Sequence, residues 1–459
     1  MEQAITARIT VAFMVRQREK PMYKKKRKTR NRSVALLTLF SASAGAVDLG
    51  VELEAGIGYT DNITRASDTL VEPVLDDTVY QAGLTVTLEH ETARAQVDLR
   101  GSLFYHDYQD APYDSETLPA LDMSALFRVT DQSLSWFLNG NVGQQTIDPF
   151  QPVTPDNRED FAYFTTGPSL FVPLGPRFSL RADLSYSEIK YEEQPLDNSR
   201  TGAQLSFARQ INPTRALSLN LRAERTDFDL DALLAPIDRY DAFFQFSTEG
   251  SRNEITVDLG WSISERSSVR SEEPLVNVEW LRQLSPATSL DISVGSRVSD
   301  AAESFRGNQR DSINIGDVQN QQGVTDPFRE DYAGLAVTYA ATRTTLTLGS
   351  RWVDENYVNS QSVRDRNLLL LSAHFSRQLG PSWDFGLHAS SSTNDYEALG
   401  REDEDFNIGT SLTWSGSRTI EIELSLDRVD RESTEAADEF TENRAYLAFR
   451  YIPDIGRQN

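Results

Sequence analysis

From Val47 onward, apolar and polar residues alternate with a period of two, the period of a strand whose successive side chains point to opposite faces. In the first such segment Val47, Leu49, Val51, Leu53, Ala55, Ile57 and Tyr59 occupy one phase, and Asp48, Glu52, Glu54 and three glycines the other. The pattern returns to the end of the chain. Val97, Leu99, Leu103 and Tyr105 alternate with Asp98 and Arg100, and Leu180, Ala182 and Leu184 with Arg181 and Asp183. Ile420, Ile422 and Leu424 alternate with Glu421 and Glu423. The chain holds about twenty such segments (between about 18 and 22), each with one oily face and one wet face.

The connections between segments are sorted by length. Short turns centre on Glu91, Asp131, Pro176, Pro213, Arg252, Pro286, Thr342, Pro381 and Gly416, and longer polar stretches such as 107–119, 144–160 and 299–330 lie between them. Tight turns on one side and long loops on the other are the signature of a transmembrane β-barrel, with the turns periplasmic and the loops extracellular. The predicted fold is therefore all-β: an antiparallel up-and-down barrel over residues 47–452, with both termini periplasmic and an even strand number. A soluble sandwich also alternates, but it has no reason to sort its loops. Aromatic residues separate the two readings. Tyr59, Tyr105, Tyr186, Trp261 and Trp352 stand on the apolar phase just before long stretches, and Trp280, Tyr339 and Trp414 just before short turns. Core-filling rings need not collect at strand ends, whereas rings with a polar edge belong at the headgroup level and form two girdles. In lipid every backbone N–H and C=O must be paired within the protein, so the barrel must close on itself. One residue fits poorly: Pro168 removes a ladder donor inside a good strand, and it predicts a bulge or a shorter strand.

No run is long and apolar enough for a transmembrane helix. Residues 1–46 read instead as an N-terminal extension and an export signal. Lys24, Lys25, Lys26, Arg27, Lys28, Arg30 and Arg32 precede a short apolar core, and Ala44 and Ala46 supply the small residues of a cleavage site. Met22 stands just before the basic cluster and is a second candidate start. N-terminal sequencing of the membrane-inserted protein is expected to begin at Val47; a mature form retaining Met22 would contradict this. Removing the segment takes away 11 of 45 basic and 2 of 69 acidic residues, leaving 34 against 67, a net charge of −33. Such a surface repels phosphate and excludes a nucleic-acid partner. Aromatics at 10% of the chain argue against an acidic disordered polymer, and with no cysteine the exported fold uses no disulfide.

Charged residues on the wet phase are the candidate lumen lining: Arg94, Asp98, Arg100, Arg181, Asp183, Arg222, Glu224, Asp258, Glu421 and Glu423. His374 and His388 join them, set directly opposite each other by the turn at Pro381. Two imidazoles are fewer than the three or four ligands a metal site needs, and the chain carries no nucleophile elbow or phosphate-cradling loop. No catalytic residue, cofactor or metal is therefore assigned.

Two short stretches carry resemblances. Arg444, Phe449 and Tyr451 resemble the C-terminal signal read by the barrel-assembly machinery, with Tyr446 where glycine is usual and a tail, 453–459, after the barrel. Gly58, Tyr59, Asp61, Asn62 and Ile63 follow the first strand. That run looks like the one in outer-membrane β-barrel porins found with exopolysaccharide biosynthesis and exosortase (PEP-CTERM) systems. The resemblance implies a porin-like channel associated with exopolysaccharide secretion, and components of that export system as partners. Outer-membrane lipid, lipopolysaccharide and the assembly machinery are the partners any such barrel meets. A structural or adhesive barrel acting through its loops, and an outer-membrane hydrolase, remain the competing readings.

Overall fold

A computed structural model describes residues 47–67, 74–110, 112–229, 235–267, 269–299, 327–357 and 362–454. Residues 1–46, on which the expected export signal falls, most of the 299–330 stretch and the end of the tail lie outside them. Twenty strands follow in chain order: β1 (Val47–Thr60), β2 (Asp77–Glu91), β3 (Ala95–Tyr108), β4 (Glu116–Arg128), β5 (Leu134–Thr146), β6 (Arg158–Pro173) and β7 (Phe178–Tyr191). Then come β8 (Asn198–Asn212), β9 (Arg215–Phe228), β10 (Ile237–Glu249), β11 (Asn253–Arg266), β12 (Val269–Ser285), β13 (Thr288–Ser299) and β14 (Phe328–Ala341). The last are β15 (Thr344–Tyr357), β16 (Arg366–Gly380), β17 (Trp383–Tyr396), β18 (Arg401–Ser415), β19 (Ile420–Ser433) and β20 (Phe440–Tyr451). Each strand pairs antiparallel with its neighbours in the chain, and β1 pairs with β20 to close the ring. Followed once around the ring, the strand registers return to β1 displaced by about 26 residues. That stagger tilts the strands about 43° and sets a backbone diameter of about 40 Å.

The outward face is apolar. Leu53, Ile57, Leu103, Leu259, Leu335, Leu348, Leu424 and Leu447 are all more than 40% exposed, whereas Glu159, Asp241, Asp403 and Glu442 are buried. A water-soluble fold would invert that distribution, since each large apolar side chain left in water forgoes about 1.5–3 kcal/mol. Hydrocarbon around the ring removes the penalty.

Three expectations change. Pro168 causes neither a bulge nor an early end: β6 runs on to Pro173, and the β6–β7 register is the same on both sides of Gly167 and Pro168, which are merely unpaired toward β7. A Cβ at Gly167 would lie 1.8 Å from the Leu184 carbonyl oxygen, so glycine lets the strands approach where proline has removed a donor. Loop sorting is also less strict than the spacing implied, because β11 and β12 are joined on the long-loop side by residues 267–268, with Ser267 at φ 55°. The strands also reach further into the polar stretches, taking up Pro119, Asp160 and Glu330.

The seam between β1 and β20 is shorter than its neighbours. It pairs only Leu53–Thr60 with Tyr451–Arg444, whereas β1 and β2 pair along the whole of β1. Side chains reinforce it. Tyr446 crosses to β1 and donates to Glu54 at 3.0 Å, lying where a Cβ on Gly56 would be 2.0 Å from its hydroxyl. Asn62 donates to the Ala66 and Thr441 carbonyls at 2.9 and 3.0 Å and accepts from the Ala66 N–H. Asp61 takes both the backbone and side-chain N–H of Asn443 at 2.7 Å. The Gly58–Ile63 run thus forms a latch. Asn62→Ala should cost about 1–3 kcal/mol through the groups left unpaired, read as a lower temperature at which the barrel loses its compact mobility in unheated detergent gels. An unchanged transition would mean that the backbone ladder alone holds the seam.

Candidate functional site: the barrel lumen

Tilt and strand number leave a lumen wider than side chains can fill. A cavity of about 1750 Å³ runs along the wall, bounded by Arg158 and Glu442 toward the loops and by Glu254 and Ser289 toward the turns. The registers place Asp98, Arg100, Arg181, Asp183, Arg222, Glu224, Asp258, His374, His388, Glu421 and Glu423 on the phase opposite the lipid-facing leucines. Arg94 differs. It stands one residue before β3, in the β2–β3 turn at the rim, where its carbonyl accepts from the Arg128 N–H. The eight aromatic residues Tyr59, Tyr105, Tyr186, Trp261, Trp280, Tyr339, Trp352 and Trp414 all take the outward phase. Of the C-terminal trio, Phe449 and Tyr451 face outward, while Arg444 lines the cavity.

The wall is an array of arginine–carboxylate pairs that only strand register could assemble. Arg222 and Arg239 share Asp241 at 2.7 and 3.2 Å, Arg297 and Arg351 share Glu330 at 2.8 and 3.1 Å, and Arg401 and Arg431 share Asp403 at 2.9 and 3.0 Å. Arg366 holds Glu355 at 2.7 Å, and Arg450 bridges Glu54 and Glu423, both at 2.7 Å. Shared carboxylates and planar guanidinium forks satisfy one another's hydrogen-bonding groups where the wall is withdrawn from water. His374 and His388 are register partners, and His388 Nε2 lies 3.2 Å from Asp427 Oδ1 across β18. That reach passes over Gly409, whose Cβ would sit 2.1 Å from the carboxylate oxygen. Among the described residues no group of three or more His, Asp or Glu is placed to hold a metal ion.

The stretch between β5 and β6 was legible only as a polar loop, yet it crosses the mouth. Asn157 gathers it, donating to the carbonyls of Asp148, Gln151 and Pro152 and accepting from the Asp148 N–H. Its tip reaches strands about eight places away around the ring. There Phe150 packs edge-on against Tyr396 (4.9 Å between centroids), and Arg401 stacks 5.4 Å over the Phe150 ring while donating to its carbonyl at 2.5 Å. Arg158, Glu116 and Tyr108 form a tight hydrogen-bonded set at its base. On the adjoining loop Tyr113 is held against Thr154, and burial pushes its phenol above the usual range. Val153 and Pro155 of the β5–β6 loop line the cavity.

A closed antiparallel barrel with an apolar outer belt, two aromatic girdles and a charged, hydrated interior is a Gram-negative outer-membrane protein. Solved structures with similar barrels include Acinetobacter baumannii OccAB4 (10% identity, 89% of this chain and 98% of that one, TM-score 0.37). The Neisseria meningitidis FrpB iron transporter (10%, 88% and 81%, 0.45) and Pseudomonas aeruginosa OpdK with vanillate (9%, 88% and 99%, 0.36) are two others. No family model matches the chain, and no curated protein matches it in sequence.

Proposed function

We propose that the protein is a porin-like channel whose lumen is narrowed near the extracellular mouth by the 147–157 loop. The observation that carries this reading is the cavity bounded by loop-side and turn-side residues, walled by ion pairs in place of an apolar core. An association with exopolysaccharide secretion is the finer part of the proposal and rests on the Gly58–Ile63 resemblance. Planar-bilayer recording of the mature protein tests the channel. Discrete steps of constant conductance are expected, with a cation preference that grows at low salt, because the chain outside residues 1–46 carries a large acidic excess and screening weakens as the Debye length rises from about 3 Å at 1 M to about 10 Å at 0.1 M. Correctly inserted protein that never conducts would favour the structural or adhesive reading.

A further inference from the structure

Most inward-facing arginines of this wall have carboxylates; Arg444 does not. Its register partner on β19 is Asp427, but Asp427 pairs instead with His388, two strands away. Among the described residues Arg444 makes no ion pair, and its Nε is buried without a hydrogen-bond partner. A second guanidinium, Arg65, stands close enough that Arg444 adds to the lowering of its pKa, which burial dominates. Arg65 is held by Glu442 at 3.0 Å. On the same cavity wall the Oδ1 of Asn407 is also buried without a partner. One face of the lumen therefore offers an uncommitted guanidinium fork, a neighbouring cation and an unsatisfied amide oxygen.

We propose that this face is a solute-binding station for a hydroxylated carboxylate, such as a sugar acid or a uronic acid unit of a saccharide. Arg444 takes the carboxylate through paired N–H donors, and Asn407 Oδ1 accepts from a hydroxyl. A singly charged carboxylate suits the site better than a doubly charged phosphate, because Glu442 and Asp427 stand beside it and repulsion scales with the ligand's charge. Free sugar acid and polymer-borne uronate share this chemistry. The inference rests on the channel reading for its access route, but the station can be read without any current.

Two measurements on the full mature barrel test it. In bilayers, glucuronate added on the loop side should interrupt the current at roughly tenfold lower concentration than glucose, which has the ring without the carboxylate. Calorimetric titration of the detergent-folded barrel with glucuronate should give the same ranking with no current involved. Arg444→Gln should abolish the preference in both, and Arg444→Lys, which keeps the charge but loses the fork, should fall between. Asn407→Ala should weaken glucuronate but leave acetate unchanged. An oligoglucuronate that binds more tightly than the monomer points to a polymer, and equal affinities to the free acid. Binding without conductance overturns the channel and keeps the station. Conductance with glucose and glucuronate equivalent, or with Arg444→Gln unchanged, overturns the station and keeps the channel.

Discussion

Leu99→Arg should destabilise the barrel in bilayers by about 2–4 kcal/mol, the cost of a guanidinium near the hydrocarbon midplane. Arg100→Leu, one residue along β3, should change folding far less. The physical difference is the face. Leu99 is outward, with Leu88 and Met123 as its register partners, whereas Arg100 is inward and exposed to the hydrated lumen. Urea titration of both variants folded into lipid vesicles reads the two costs side by side. The reverse order would place β3 in the opposite phase. Because β3 is tied to β2 and β4 by continuous registers, that error would spread around the ring.

Replacing residues 149–155 by a Gly-Gly link should roughly double the single-channel conductance, because the loop spans part of a lumen about 40 Å across at the backbone. Assembly should be unaffected, since β5 and β6 pair from Leu134–Thr146 to Leu170–Arg158 without help from the loop. Arg401→Ala is the subtler version. It removes the stacking and the hydrogen bond that seat Phe150 but leaves the loop's own Asn157 network. Its expected signature is a noisier open level with brief excursions to higher conductance. If the shortened loop gave the wild-type conductance, the narrowest point would lie elsewhere in the lumen. The 299–330 stretch, the longest polar stretch in the sequence, falls mostly outside the described residues, and deleting Gly307–Gly323 tests separately whether it narrows the lumen.

Strand period, turn spacing and aromatic placement were enough to read the architecture, because each is a local consequence of lipid on one face and water on the other. Leu53 must be apolar whatever its partner, and Tyr59 must stand near the headgroups whichever strand lies beside it. Arg94 falls in the β2–β3 turn, and alternation alone cannot show where a turn begins. Pro168 looked like a defect because sequence shows the missing N–H but not the approach of β7 that Gly167 permits. What sequence could not supply is everything that depends on which strand lies beside which and by how much each is shifted. Asp241 between two arginines and His388 reaching Asp427 over Gly409 both follow from register. Phe150 and Arg401 are 251 positions apart in the chain. Their contact exists only because twenty tilted strands close into a ring and bring distant loops to one mouth. Alternation is written in each strand by its own solvent boundary, but a site assembled across strands is decided by closure, stagger and the pairing energies of side chains that meet only in the finished barrel.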